Sequence, residues 1–192
     1  EFDVETLGVP LADGGGGVWK DKPRSRVWNR IPDRVPISGD FAALAGLYVA
    51  EGHTRILDHD CLLDFTVGAH EPSVAEDTTL KLKQIFGVVA HVRPGPGCLH
   101  IRTRCEIVAR LLAYHFGSGA ENKKIPGWMM RMRRSVQREF VRALWLGDGH
   151  ADEHQLSYTT ISRTLAWQLH ALLLRFGIPA ALRKEKTSHR DR

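Results

Sequence analysis

Two stretches decide the fold: Leu44-Ala-Gly-Leu-Tyr-Val-Ala-Glu-Gly52 and Val141-Arg-Ala-Leu-Trp-Leu-Gly-Asp-Gly149. They align position by position. Gly46 meets Ala143, Leu47 meets Leu144, Tyr48 meets Trp145 and Ala50 meets Gly147. Glu51 then meets Asp148, Gly52 meets Gly149, and even His53 meets His150. Each stretch reads as an apolar helix closed by an acid and a glycine. Small residues recur at i, i+4 in both, Gly46 with Ala50 and Ala143 with Gly147. Such a stripe lies on one helix face and lets two backbones approach closely.

If these helices pack side by side, Glu51 and Asp148 arrive together at their C-terminal ends. A helix C-terminus carries partial negative charge and carbonyls without an intrahelical partner. Two carboxylates there, with the carbonyls of Ala50 and Gly147, make a seat for a hard divalent cation. Oxygen ligands in that number favour Mg²⁺, completed by water and substrate phosphate. Metal ions beside a scissile phosphate activate water and stabilise the leaving oxygen.

Outward from the first stretch, a helix is expected over Phe41–Glu51, with Asp40 as its N-cap. Residues 53–59 and 61–68 read as strands, with Leu63, Phe65 and Val67 alternating with polar residues. A helix from Ser73 to Phe86 follows, then strands Val88–Arg93 and Cys98–Thr103 joined by a turn at Pro94–Gly97. Glu106–Phe116 is a third helix. After a loop over Gly117–Met132 the order begins again: helix Ser135–Asp148, strand pieces around 155–161, helix Ser162–Phe176, strand Ile178–Lys184. The first block is α, β, β, α, β, β, α; the second is the same block without its last strand and helix. The chain thus divides into an arm or linker over 1–40, rich in Gly and Pro, a first half over 41–127 and a second half over 128–192.

The 192 residues hold 27 Lys+Arg against 22 Asp+Glu, a net charge of +5. Hydrophobic residues at 43% suit a soluble globular chain, and no apolar run approaches the ~20 residues of a membrane span. The three cysteines show no CxxC spacing, which argues against a disulfide framework and a structural zinc site. A reducing, cytoplasmic compartment is expected. Six basic residues lie in 18–35, seven in 121–142 and five in 183–192, interleaved with Trp19, Trp28 and Trp128. This pattern fits a polyanion-binding surface. Stretch 51–79, with seven carboxylates and one arginine, does not. Arg93, Arg102, Arg104, Arg183 and Lys186 fall on or near expected strands and are candidates for phosphate or base contacts, as is Lys124 in the basic loop.

The sequence resembles the LAGLIDADG homing endonucleases, specifically the two-motif dodecapeptide (DOD) type often inserted in inteins. The residues that carry the resemblance are LAGLYVAEG at 44–52, VRALWLGDG at 141–149, KKIPGW at 123–128 and YTTISRTLAWQLHALLLRFGI at 158–178. The second motif departs at its start, where Val141-Arg142 stands in place of Leu-Ala. The resemblance implies an α+β fold, a pseudo-twofold duplicated αββαββα saddle whose second half is incomplete here. It implies a monomer with internal pseudo-symmetry, with sheets in the major groove of double-stranded DNA. The acids that close the motifs, Glu51 and Asp148, would bind the metal, and Lys123, with Lys124 beside it, would assist near the reacting phosphate. The expected function is a Mg²⁺-dependent site-specific DNA endonuclease, the nuclease moiety of an intein or similar mobile element. The splicing domain would then lie in cis, because the chain opens on Glu1 and ends on Arg192 rather than on splicing residues. A non-cleaving DNA- or RNA-binding regulator or maturase on the same scaffold is the rival expectation.

Overall fold

In the computed structural model, which describes residues 2–3, 31–32, 34–57 and 60–185, the chain starts with a short antiparallel pair. Strand β1 (Phe2–Asp3) pairs with β2 (Arg34–Val35). The end of the expected arm is part of the core, because Ile31 and Val35 are fully buried. The basic residues at 20–30 and Lys186 lie outside the described residues.

Helix α1 (Gly39–Glu51) is capped by Ser38, whose Oγ accepts the Phe41 N–H at 3.1 Å. Asp40 instead sits in the first turn, where a carboxylate favours the positive end of the helix. From Phe41 to Val49 every residue except Ala43 is buried. A helix with so little polar surface is a spine, not a surface element. It runs straight into β3 (Gly52–Leu57), then β4 (Asp60–Gly68). Pro72 opens α2 (Pro72–Phe86), and Gly87, at φ +68°, closes it. Strands β5 (His91–Gly95) and β6 (Cys98–Thr103) follow, and α3 (Glu106–Phe116) ends the block.

The four strands form one antiparallel sheet in the order β3-β4-β6-β5. Cys61, Leu63, Phe65 and Val67 of β4 and Ile101 of β6 face the helices. Strand β5 begins later than expected. Val88 and Ala90 are buried but unpaired, serving as an apolar approach from α2 to the sheet edge. Pro94 falls within β5, which an edge strand tolerates, and Pro96-Gly97 makes the turn with Gly97 at φ +72°.

The second half holds α4 (Arg134–Asp148), β7 (Gly149–Ala151), β8 (Leu156–Tyr158) and α5 (Arg163–Arg175). Its hairpin has only three residues per strand. Asp152 explains the short strands: its Oδ1 accepts the N–H groups of His154 and Gln155 at 2.8 and 2.9 Å, so the chain turns at once after Ala151. The strand expected over Ile178–Lys184 does not form, and among the described residues no strand pairs with that segment. The two halves share one core. Phe140 of α4 stacks on Phe116 at 6.0 Å, and Phe41 meets Phe86, Phe116 and Trp128 at 6.2–6.4 Å. Among the described residues no helix is long and apolar enough to cross a membrane.

Candidate active site

Helices α1 and α4 form the central seam, and its tightness follows from the small residues. A Cβ on Gly46 would stand 2.2 Å from the Phe140 carbonyl oxygen and 3.1 Å from the Ala143 Cβ. A Cβ on Gly147 would stand 2.5 Å from the Ala50 Cβ, 3.0 Å from Glu51 Cγ and 3.3 Å from Glu51 Oε1. Gly46 therefore faces Ala143, and Ala50 faces Gly147, so each layer of the seam seats one methyl group. The Glu51 carboxylate lies against the end of α4, beside Asp148.

A cleft of about 430 Å³ opens where the two helices end, lined by Ala50, Glu51, His53, Lys123, Asp148 and Thr160 among others. Burial pushes the Glu51 carboxyl up to about 7, with the charges of Asp148 and then Glu71 adding to the rise. Asp148 is pushed up as well, chiefly by burial, while a hydrogen bond from Tyr158 and the charge of Lys123 oppose the rise. Two half-enclosed carboxyls with raised proton affinity, one of them raised further by the charge of the other, mark a site where positive charge is favoured.

Lys123 is only 4% exposed. Its Nζ donates to the carbonyls of Tyr48 at 2.6 Å and Gly52 at 2.8 Å, and lies 3.4 Å from the centre of the Tyr48 ring. It thus closes the C-terminus of α1 at the point where helix becomes strand. Burial lowers its ammonium to about 7, and Asp148 acts against that shift. The segment that carries it is pinned at several points. The Tyr48 hydroxyl donates to the Gly117 carbonyl at 2.9 Å. Gly117 takes φ +84°, and a Cβ there would stand 1.9 Å from the Asn122 carbonyl oxygen. Ser162, the N-cap of α5, donates to the Lys123 carbonyl at 2.6 Å, and Gln168 Oε1 accepts the Ile125 N–H at 2.7 Å.

The residues present fit a hard divalent cation. The chain supplies two carboxylates and the terminal carbonyls of two helices, and no group of three or more His, Cys, Asp or Glu able to hold a metal occurs among the described residues. That donor set suits Mg²⁺, which keeps waters and substrate oxygens, and does not suit zinc.

The expected nucleic-acid contacts are placed unevenly. Register puts His53 and Arg55 of β3, Asp60 and Asp64 of β4, Arg102 and His100 of β6, and His91 and Arg93 of β5 on the sheet face opposite the helices. The acids of the first hairpin therefore share that face. Asp64 pairs with Arg102 at 2.8 Å, and Asp60 pairs with Arg104 at 3.1 Å and with Arg55. Arg93 is exposed, and no ion pair engages it among the described residues. Lys124 is half-buried, and its charge adds to the burial that holds the His115 imidazole down at about 4. Arg183 is exposed on a segment outside any strand. His53 lines the cleft, whereas its counterpart His150 lies 3.9 Å from Asp152.

Two site residues escape the sequence reading. Tyr48 passes for core, yet its carbonyl and ring hold Lys123. Tyr158 donates a hydrogen bond to Asp148 Oδ2 at 3.1 Å. Tyr158 is the first residue of the quoted stretch 158–178, but only strand pairing reveals that it reaches the acid.

A family model described as LAGLIDADG-like domain matches residues 135–192. Among curated relatives, an ATP-dependent DNA helicase of Thermococcus kodakarensis is 27% identical over 168 residues, 81% of this chain and 14% of the helicase. An iron-sulfur cluster assembly SufBD family protein of Mycobacterium bovis is 29% identical over 155 residues, 77% of this chain and 18% of that protein. The chain thus spans less than a fifth of either relative. Among solved structures, I-DmoI in complex with DNA and Mn matches with a TM-score of 0.62 at 13% identity, covering 81% of this chain and 86% of that one. The homing endonuclease I-WcaI bound to its DNA recognition sequence matches with a TM-score of 0.56 at 14% identity, covering 96% and 84%. The duplicated motif and the shared architecture agree on the fold: the chain carries a LAGLIDADG-like domain over residues 135–192 and has the fold of the homing endonucleases I-DmoI and I-WcaI.

Proposed function

We propose that the chain is a site-specific endonuclease that hydrolyses phosphodiester bonds of double-stranded DNA, acting as a pseudo-symmetric monomer. One observation carries this reading: two acids from duplicated motifs meet at a glycine-tight helix seam that opens into a cleft. Glu51 and Asp148, with the carbonyls of Ala50 and Gly147, would hold the divalent cation, Mg²⁺ by ligand type. When bound, it would supply an activated water and charge neutralisation at the leaving oxygen. Lys123 keeps the end of α1 closed and sets positive charge beside Asp148, favouring a developing anion in the cleft. Arg93 and the outer sheet face are assigned to the DNA, with Lys124 and Arg183 as further phosphate contacts.

The relatives support an inserted element. A helicase and an iron-sulfur assembly protein have unlike activities, yet each contains a segment like this one. What they share is therefore separable from what either host does, in keeping with the nuclease moiety of an intein or a comparable mobile element. The test is cleavage of a plasmid library carrying randomised target sites, with Mg²⁺ or Mn²⁺. A recovered cut site, lost in Glu51→Gln and Asp148→Asn while retention of that DNA on a gel persists, is the expected result. Salt-sensitive DNA binding by the wild type with no cutting of any site would replace the nuclease with a non-cleaving regulator.

A further inference from the structure

The duplication repeats more than its motifs. In the first half Gly52, the residue after the acid, pairs across the hairpin with Phe65. In the second half Gly149 pairs with Tyr158. Each of these aromatics packs on the aromatic three residues before its acid. Phe65 meets Tyr48 at 6.2 Å, and Tyr158 meets Trp145 at 5.8 Å. Tyr158 is thus the second-half equivalent of Phe65, and the two differ in shape by one hydroxyl.

That hydroxyl is not needed for packing, since Phe65 fills the same register position without it and is fully buried. It points to Asp148, donating to Oδ2 at 3.1 Å. A carboxylate at the end of a helix otherwise turns freely about its side-chain bonds. Fixing one oxygen sets the rotation of the other and removes entropy that cation binding would have to overcome. Nothing equivalent reaches Glu51 from Phe65. On that side the nearby polar support is Lys123, which engages the helix carbonyls.

We infer that Tyr158 is a positioning residue for Asp148, holding Oδ2 so that the carboxylate is set for the cation. The inference rests on the cation seat proposed above. It makes the two acids unequal partners, one restrained by a hydroxyl and the other by the tight seam alone.

Mn²⁺ binding to the protein, followed by electron paramagnetic resonance, tests it directly. Tyr158→Phe keeps the ring on Trp145 and restores the first half's chemistry. Its thermal midpoint should match the wild type while Mn²⁺ affinity falls about tenfold, the usual cost of removing a partner behind a metal ligand. In an Asp148→Asn background the same change should produce no further loss, because its effect passes through Asp148. Wild-type Mn²⁺ affinity in Tyr158→Phe, with affinity lost in Asp148→Asn, would overturn the role of Tyr158 and leave the cation seat standing. Unchanged affinity in both Glu51→Gln and Asp148→Asn would remove the seat itself, and the inference with it.

Discussion

Glu51 and Asp148 occupy equivalent places, yet Glu51 is the more enclosed of the two. Its carboxyl, raised to about 7, binds a proton in the folded state that the unfolded chain has released above about 4.5. Stability of the cation-free protein should therefore fall as pH rises from 4.5 through 7. Glu51→Gln removes that dependence and should be more stable than wild type at pH 8, by about 1 kcal/mol after discounting for solvent screening. The two proteins should converge below pH 4.5. Thermal melts across that range would show it, and parallel melting curves at every pH would refute it. Cation affinity should run the other way, rising between pH 6 and 8 as Glu51 ionises, with proton release measurable by calorimetry. Lys123→Met keeps the buried stem but removes two hydrogen bonds and a ring contact. It should cost roughly 1–3 kcal/mol in urea unfolding. The acids were legible from the sequence because a repeat exposes matched positions. The enclosure of Lys123 was not, because it depends on a Gly117 turn and a Tyr48 ring 69 and 75 residues apart from their partners in the chain.

At the scale of elements, the motif helices and their glycine stops could be read from small-residue spacing, α3 and α5 from apolar periodicity, and α2 from its Pro72 start and Gly87 stop. The second hairpin was less legible. It is set by Asp152 side-chain bonds rather than by alternating hydrophobic residues, and pattern reading is blind to those. The seam gives the sharpest prediction here. Gly147→Ala forces a methyl to 2.5 Å from the Ala50 Cβ and against the Glu51 side chain. It should lose about 1–3 kcal/mol, the usual cost of overpacking. Ala50→Gly in the same chain vacates that space, so the double variant should recover most of the loss in urea midpoint. If the two changes simply add, the methyl-per-layer account of the seam fails.

For the whole molecule, net charge of +5 overstates what the outer sheet face offers to a phosphate backbone. Asp60 and Asp64 engage Arg55, Arg102 and Arg104, leaving Arg93 as the cation of that face with no ion pair among the described residues. The sequence raised the acids of the first hairpin as an obstacle. Strand register decides it, because even-numbered residues of β4 all face away from the helices. DNA affinity should drop steeply with salt, and Arg93→Ala should lower the slope of log affinity against log salt by about one. An unchanged slope would take Arg93 off the interface.

Because equivalent positions face each other across the seam, its spacing also constrains descent. A twin built from two copies of the first half would oppose Ala50 with Ala50, at a layer that admits a single methyl, and would leave Gly46 facing Gly46 across a gap. Neither half can be exchanged for a duplicate of its sibling without compensating changes, so the pair has to be inherited, recombined and engineered as a matched set.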